Sequence, residues 1–188
     1  MSVSFKCFIF LLFSTCLLPF AHADSNESAK IYTASWISEK QTKVDPSDVG
    51  NIVSEVFEQS DKHKIDPFLI LAIINKESTF NKKARNKSKA SGLMQVIPFW
   101  HRDKIKGRNI FSVKVNIEVG TEVLKNCLDK HFQKIKPALK CYSGGAGNKY
   151  IRDVISARSL LRKWVIEQQF IAQQPIYYAL YDKDPTIF

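Results

Sequence analysis

An unbroken run of seven apolar residues, Phe68 to Ile74, constrains the fold of this chain more than any other feature of its sequence. The dipeptide Asp66-Pro67 precedes the run and is typical of a helix start, because the carboxylate accepts a backbone N–H and the proline ring already has a helical φ. A helix that is apolar on every side has to be surrounded by protein. The sequence therefore predicts a central buried helix.

The predicted helix ends at Glu77-Ser78, and Glu77 is the candidate reactive group. Its carboxyl group is expected beside buried surface and at the C-terminal end of the helix, and both surroundings favour the protonated acid. A general acid at neutral pH needs that state. Asp103 is the only carboxylate between Ser78 and Ile117, so the neighbouring loop offers no obvious partner for glycosidase chemistry that uses two carboxylates.

The rest of the chain favours a mainly α fold, because no convincing alternating strand pattern is present. Asp45-Pro46 starts an amphipathic helix that ends near His63. Further helices are predicted at 135–142 and from Asn148 onward. Asn116 is expected to cap another helix, in which Gly120 marks a close helix crossing.

The two ends of the chain are predicted to lie outside this helical domain. Residues 1–23 have the parts of a secretory signal peptide, which favours a periplasmic or secreted protein. An uncleaved membrane anchor and lipidation at Cys16 are the alternatives. Residues 24–43 are polar and are expected to form a loosely ordered arm. The tail 166–188 either packs on the domain or binds a partner.

Cys127 and Cys141 are the cysteines that remain after signal removal, and they are candidates for a disulfide in an oxidising compartment. Both positions are equally consistent with small buried core sites. The histidines have no cysteine, histidine or carboxylate neighbours at metal-ligand spacing. The sequence therefore predicts no metal and no cofactor.

Four motifs follow one another in the order and spacing of a lytic transglycosylase catalytic domain. They are Glu77-Ser78, Gly92-Leu93-Met94-Gln95, Asn116-Ile117 with Gly120, and Tyr142-Ser143-Gly144-Gly145. On these motifs the chain resembles the soluble lytic transglycosylase (SLT) family over roughly 44–165. The resemblance implies a goose-type-lysozyme-like helical domain.

The resemblance also implies roles for individual residues. Glu77 is the implied catalytic residue, and Ser78 helps to orient it. The implied substrate-binding residues around it are Ser78, Met94, Gln95, Tyr142 and Ser143. Met94 is equally suited to fill the core.

This sequence departs from the family pattern at two positions, with Cys141 for the usual alanine and Ser143 for the usual asparagine. The aromatic pair Phe99-Trp100 is consistent with two positions, an exposed one and a buried one. Its rings suit either stacking on sugar faces or a core anchor under the groove.

The implied activity is cleavage of the bond between N-acetylmuramic acid and N-acetylglucosamine with formation of a 1,6-anhydro end. One Glu, here Glu77, acts as acid and then as base. A hydrolytic lysozyme and a non-catalytic wall-binding module of a secretion apparatus are the alternatives. Secretion or envelope machinery is accordingly a candidate partner.

The charge of the chain agrees with a polyanionic ligand. The net charge is +10, and loss of the single lysine in 1–23 leaves +9 (10 − 1). Such a balance favours anionic polymers, including peptidoglycan with its stem-peptide carboxylates, although a solvated basic face is the plain alternative. No nucleic-acid-reading motif is present, and no stable membrane insertion is expected after signal cleavage.

Overall fold

A computed structural model describes residues 25–172 together with Gln174. Within that range the chain forms seven α-helices and a short 3₁₀ turn at Pro98–His101. The helices are α1 Ser25–Lys40, α2 Pro46–His63, α3 Pro67–Ser78, α4 Arg102–Ile105, α5 Val113–Lys130, α6 Ile135–Tyr142 and α7 Asn148–Ala172. The described residues contain isolated β-bridges but no strand. The predicted mainly α fold is therefore confirmed.

Two helix starts follow the predicted Asp-Pro pattern. The carboxylate of Asp45 accepts a hydrogen bond from the backbone N–H of Ser47 at 2.8 Å, and Pro46 is the first residue of α2. The carboxylate of Asp66 accepts one from Phe68 N–H at 2.9 Å, and Pro67 opens α3. Each cap satisfies a backbone donor that the helix itself leaves unpaired.

Helix α3 lies in the centre of the core, as its apolar run predicts. Six of its residues, Leu69 to Ile74, are buried. Helix α7 and α2 pack against it, α5 packs on α2, and α6 packs on α5. Each fully buried Leu or Ile side chain contributes about 1.5–3 kcal/mol by removal from water, so this helix is held mainly by packing.

The segment 24–43 differs from its prediction, because most of it is the helix α1 rather than a loosely ordered arm. Helix α1 packs on α2 and α7, with Thr33 and Ile37 buried. The Gln169 side-chain amide on α7 donates hydrogen bonds to Ser25 O at 2.8 Å and Ser28 Oγ at 2.7 Å. Few apolar residues are needed here, since the helix buries only a narrow stripe.

Helix α7 begins at Asn148 as predicted but runs to Ala172, seven residues past the predicted domain end at 165. Its buried residues include Ile151, Val154, Leu161 and Val165. Among the described residues, no helix is both long and apolar enough to cross a membrane. The predicted signal peptide 1–23 and the part of the predicted tail after 174 lie outside the described residues.

Candidate active site

Glu77 lies in the last turn of α3, where the helix leaves the core. Its side chain is half-buried, and burial raises the pKa of its carboxyl group, while the hydrogen bond from Tyr150 and the charge of Lys76 lower it. The net result is a raised pKa, because loss of hydration on burial is the largest of these effects. The carboxyl group therefore holds its proton to a higher pH than an exposed glutamate does.

Tyr150 is the side chain that binds Glu77 directly. Its hydroxyl, from the first turn of α7, donates a hydrogen bond to Glu77 Oε1 at 2.6 Å. Burial and the neighbouring charge of Glu77 raise the pKa of the Tyr150 phenol, so it stays a neutral donor. Sequence reasoning missed this residue. Its position in the first turn after the predicted helix start at Asn148 was the one available signal.

Tyr142, which the resemblance places among the substrate-binding residues, lies near Glu77 but donates its hydrogen bond to another group. Its hydroxyl donates to the backbone carbonyl of Met94 at 2.7 Å, and burial followed by the charge of Glu77 raises the pKa of its phenol. The phenol that donates to the glutamate is Tyr150 instead. Tyr142 ties the end of α6 to the turn that contains Met94.

Asn116 organises that turn, and it is not the helix cap that the sequence suggested. Helix α5 begins at Val113 with Ser112 before it, so Asn116 lies inside the first turn, with 1% of its surface exposed. Its side-chain oxygen accepts from Met94 N–H at 2.7 Å. Its amide nitrogen donates to Ser91 O at 2.8 Å and Ile110 O at 2.9 Å.

Gly92 is needed at the contact between this turn and Asn116. Its φ of +76° is in the left-handed region, and a Cβ atom there would lie 2.2 Å from the Asn116 amide nitrogen. No side chain fits at that distance. Gly120 has a similar role, but against a side chain rather than at a helix crossing, since a Cβ atom there would lie 2.5 Å from Met94 Sδ.

Met94 and Gln95 were predicted to contact substrate, and the structure engages both side chains elsewhere. Met94 is 1% exposed and fills the core against Gly120, so its side chain presents no surface to a ligand. The Gln95 side-chain amide donates to Gly92 O at 2.9 Å and Ala84 O at 3.2 Å. It thereby fastens the loop after α3 to the turn.

The sequence predicts that Ser78 and Ser143 contact substrate. In the structure, both hydroxyl groups bond to backbone groups of nearby residues in their own segments. Ser78 Oγ donates to Ile74 O at 3.1 Å, one turn back along α3. Ser143 Oγ donates to Lys140 O and accepts from Ala146 N–H, both at 3.2 Å, so it shapes the turn after α6. Contact of either hydroxyl with a substrate stays a prediction.

Cys127 on α5 and Cys141 on α6 form a disulfide, with their Cα atoms 5.8 Å apart. This is within the range that the bond requires. Cys141 is the residue before Tyr142, so the disulfide fixes the end of α6 that carries the tyrosine near Glu77.

Phe99 and Trp100 are exposed, at 61% and 69% of their surfaces. The alternative of a core anchor is therefore wrong. The two rings meet edge to face, with centroids 5.0 Å apart, and the Arg102 guanidinium lies 4.7 Å from the centre of the Phe99 ring. Stacking of these rings on sugars stays a prediction.

The arrangement around Glu77 suits proton transfer by a single carboxyl group. A neutral phenol holds one of its oxygens, and within the described part of the chain no other carboxylate contributes to its raised pKa. Such a group can donate a proton and take one back after ionising.

The chain is similar to a known protein family and to several known proteins. A family model described as the transglycosylase SLT domain matches residues 54–160. The membrane-bound lytic murein transglycosylase C of Pectobacterium atrosepticum is 36% identical over 106 residues, 47% of this chain and 30% of the relative. That of Photorhabdus laumondii is 32% identical over 142 residues, 66% and 39%, and that of Yersinia enterocolitica 34% over 110 residues, 50% and 31%. The matches thus span less than two fifths of each relative.

Proposed function

We propose, because this chain belongs to the transglycosylase SLT domain family, that it is a peptidoglycan lytic transglycosylase. It cleaves the β-1,4 bond between N-acetylmuramic acid and N-acetylglucosamine and leaves a 1,6-anhydro end. The observation that carries the proposal is the half-buried Glu77, whose pKa is raised and whose Oε1 accepts from the neutral Tyr150 phenol. We assign residues 44–165 as the catalytic domain, which includes the matched range 54–160.

Glu77 acts first as an acid. Its proton passes to the glycosidic oxygen as the bond to C1 of the muramic acid breaks, and positive charge develops on that sugar. The acetamido group of the same sugar stabilises this charge, which replaces the second carboxylate of other glycosidases. The glutamate is then ionised beside the sugar.

Glu77 acts next as a base. It takes the proton of the C6 hydroxyl while the C6 oxygen bonds to C1, which closes the anhydro ring and restores the protonated acid. No water is consumed, so the products together have the mass of the substrate. One carboxyl group is enough because the two proton transfers occur in sequence.

Tyr150 keeps this carboxyl group in place. Tyr150 engages Oε1, so we assign Oε2 as the oxygen that exchanges the proton with the sugar. Tyr142 donates to Met94 O at 2.7 Å and stays a neutral phenol near Glu77, because its pKa is raised. Tyr150 is therefore a positioning residue.

Digestion of purified sacculi in water enriched in heavy oxygen tests this function. We expect products that mass spectrometry identifies as anhydro-muramic ends, lighter by one water than reducing ends and free of the heavy isotope. Reducing ends that carry the isotope would identify a hydrolytic lysozyme and contradict the proposal. The Glu77→Gln variant serves as the control, and cleavage that persists in it would exclude Glu77 as the catalytic residue.

We propose that the chain works outside the cytoplasm, in the periplasm or as a secreted protein. The Cys127–Cys141 disulfide supports this, since such bonds persist in oxidising compartments. Cell fractionation, with thiol alkylation to detect the disulfide, tests the location. Association with secretion or envelope machinery stays a prediction, which copurification from solubilised envelopes would test.

A further inference from the structure

A cavity of about 760 Å³ lies between the connection from α1 to α2 and the segment that follows α3. We call it the lysine cavity, because Lys40, Lys43, Lys82 and Lys83 line it. Ser78 and Thr79 form part of its wall, so the cavity reaches the residue next to Glu77. Lys40 is the last residue of α1, and Lys43 lies in the connection from α1 to α2.

The charges of the cavity are not balanced. Four lysines and the carboxylates Asp45 and Asp48 line it, which gives 4 − 2 = +2. Lys82 pairs with Asp48 at 2.6 Å, and Asp45 caps α2 through hydrogen bonds from Ser47. The ammonium groups of Lys40, Lys43 and Lys83 have no ion pair within the described residues, and all three side chains are exposed.

The walls of the cavity are attached to the helix that carries Glu77. The Gln41 side-chain amide donates to Asn75 Oδ1 at 3.3 Å, two residues before the glutamate. On the other side, the Lys82–Asp48 ion pair joins the segment after α3 to α2. A ligand in the cavity would therefore be held at a fixed position relative to Glu77.

We propose that the lysine cavity binds the stem peptide of the muramic acid beside the cleaved bond, with peptide carboxylates paired to Lys40, Lys43 and Lys83. The inference rests on the proposed function for its substrate. A stem peptide carries several free carboxylates, which match the three unpaired cations. The volume is within the range of ordinary ligand-binding pockets. Its position beside Ser78 favours a group attached to the sugar in the site over a separate polymer.

Calorimetry with two soluble ligands tests this site. One ligand is the disaccharide of N-acetylglucosamine and N-acetylmuramic acid with its stem peptide, and the other is the same disaccharide without the peptide. The protein carries Glu77→Gln so that neither ligand is cleaved. We expect the peptide-bearing ligand to bind about tenfold more tightly, because each partly exposed charge pair contributes a modest amount.

The triple variant Lys40→Glu, Lys43→Glu, Lys83→Glu is expected to reduce that affinity ratio to below about twofold. A matched control changes three exposed cations on other elements, Lys130→Glu, Lys136→Glu and Arg162→Glu, and should keep the ratio. An unchanged ratio in the triple variant would overturn the proposal. A loss of the ratio in the control as well would reduce it to general charge attraction, which also overturns it.

Salt supplies a second measurement that needs no substitution. Raising the salt from about 50 mM to about 500 mM should lower the affinity of the peptide-bearing ligand severalfold and leave that of the peptide-free ligand nearly constant. Equal salt dependence of both ligands contradicts the site. These binding results do not depend on catalysis, so sacculi that are cleaved without any affinity ratio refute this inference alone. An affinity ratio without cleavage refutes only the proposed function.

Discussion

The two ends of α3 each carry a carboxylate that a side chain of α7 contacts, and the two contacts differ in kind. At the N-terminal end, the Arg158 guanidinium donates to Asp66 Oδ2 at 2.5 Å. At the C-terminal end, the Tyr150 hydroxyl donates to Glu77 Oε1 at 2.6 Å. The same pair of helices thus gives one acid a charged partner and the other a neutral partner.

This difference shows how one helix pair can give two acids unlike surroundings, one suited to a structural role and the other to the proposed proton transfer. Asp66 lies at the positive end of the helix dipole and pairs with the Arg158 cation. Glu77 has burial, a neutral phenol and the negative end of the dipole, and burial raises its pKa. The acid that we propose as the proton donor is the one without a charged hydrogen-bond partner.

The sharpest way to break the comparison is the same carboxylate-to-amide change at each end. Glu77→Gln removes the proton donor, and we expect wall cleavage to fall about 10²–10⁴-fold, as for loss of a general acid or base. Release of anhydro-muropeptides from sacculi measures this.

Asp66→Asn is the matched control at the other end of α3. The amide can still cap the helix, so we expect cleavage within about threefold of wild type and a loss of about 1 kcal/mol of unfolding free energy with the ion pair. Loss of activity equal to that of Glu77→Gln would show that the two ends are not distinct in function.

Tyr150→Phe sharpens the role of the neutral partner. We expect cleavage to fall about tenfold, because Glu77 loses a hydrogen bond that orients it. That bond also lowers the pKa of Glu77, so its removal raises the pKa, and the alkaline limb of the pH–rate profile moves to higher pH. A fall in rate without this movement would mean that Tyr150 has only a packing role.

Arg158→Met tests the charged partner. Asp66 then keeps its cap but loses its cation in a setting where about a quarter of each side chain is exposed, 24% for Arg158 and 23% for Asp66. We expect a loss of about 1–2 kcal/mol in urea unfolding, between the surface and buried cases. The pH–rate profile should not move, and a shift like that of Tyr150→Phe would contradict the separation of the two ends.

The pH dependence of stability gives the smallest effect. The pKa of Glu77 is raised in the folded protein above its ordinary value of 4.5, so the folded state holds the proton where the unfolded state has released it. Stability is therefore lost as the pH rises from that ordinary value through the folded pKa. Glu77→Gln has no such loss, and it should gain unfolding free energy relative to wild type as the pH rises above the ordinary glutamate pKa of 4.5. A constant difference between the two proteins above that pH would contradict the raised pKa.

Local sequence signals were enough for much of the fold. The two Asp-Pro starts fixed α2 and α3, because capping and the φ of proline act within one turn. The boundaries of α6, at 135–142, and the start of α7 at Asn148 also agree with the structure. These elements depend on apolar periodicity and on turn residues that are visible in a short window.

The remainder depends on contacts between distant residues. Tyr150 meets Glu77 across 73 positions of sequence, and no pattern near either residue indicates the pair. Asn116 reads as a cap because asparagine favours that position, but the actual start of α5 left its amide free to bind another segment. Helix α1 was missed because its polar composition hides the two positions, Thr33 and Ile37, that α2 and α7 bury.

The buried amide of Asn116 has a consequence for redesign of the loops around Glu77. It satisfies backbone groups of Ser91, Met94 and Ile110 at once, so an insertion or deletion between 91 and 94 would break several bonds together. In the exposed segment 85–89, Arg85 forms a β-bridge with Ser91, and Asn86 and Lys89 make turn bonds. Lys87 and Ser88 lie outside this network, so libraries that vary these two positions should keep the scaffold intact. Libraries that vary the turn should mostly yield unfolded protein.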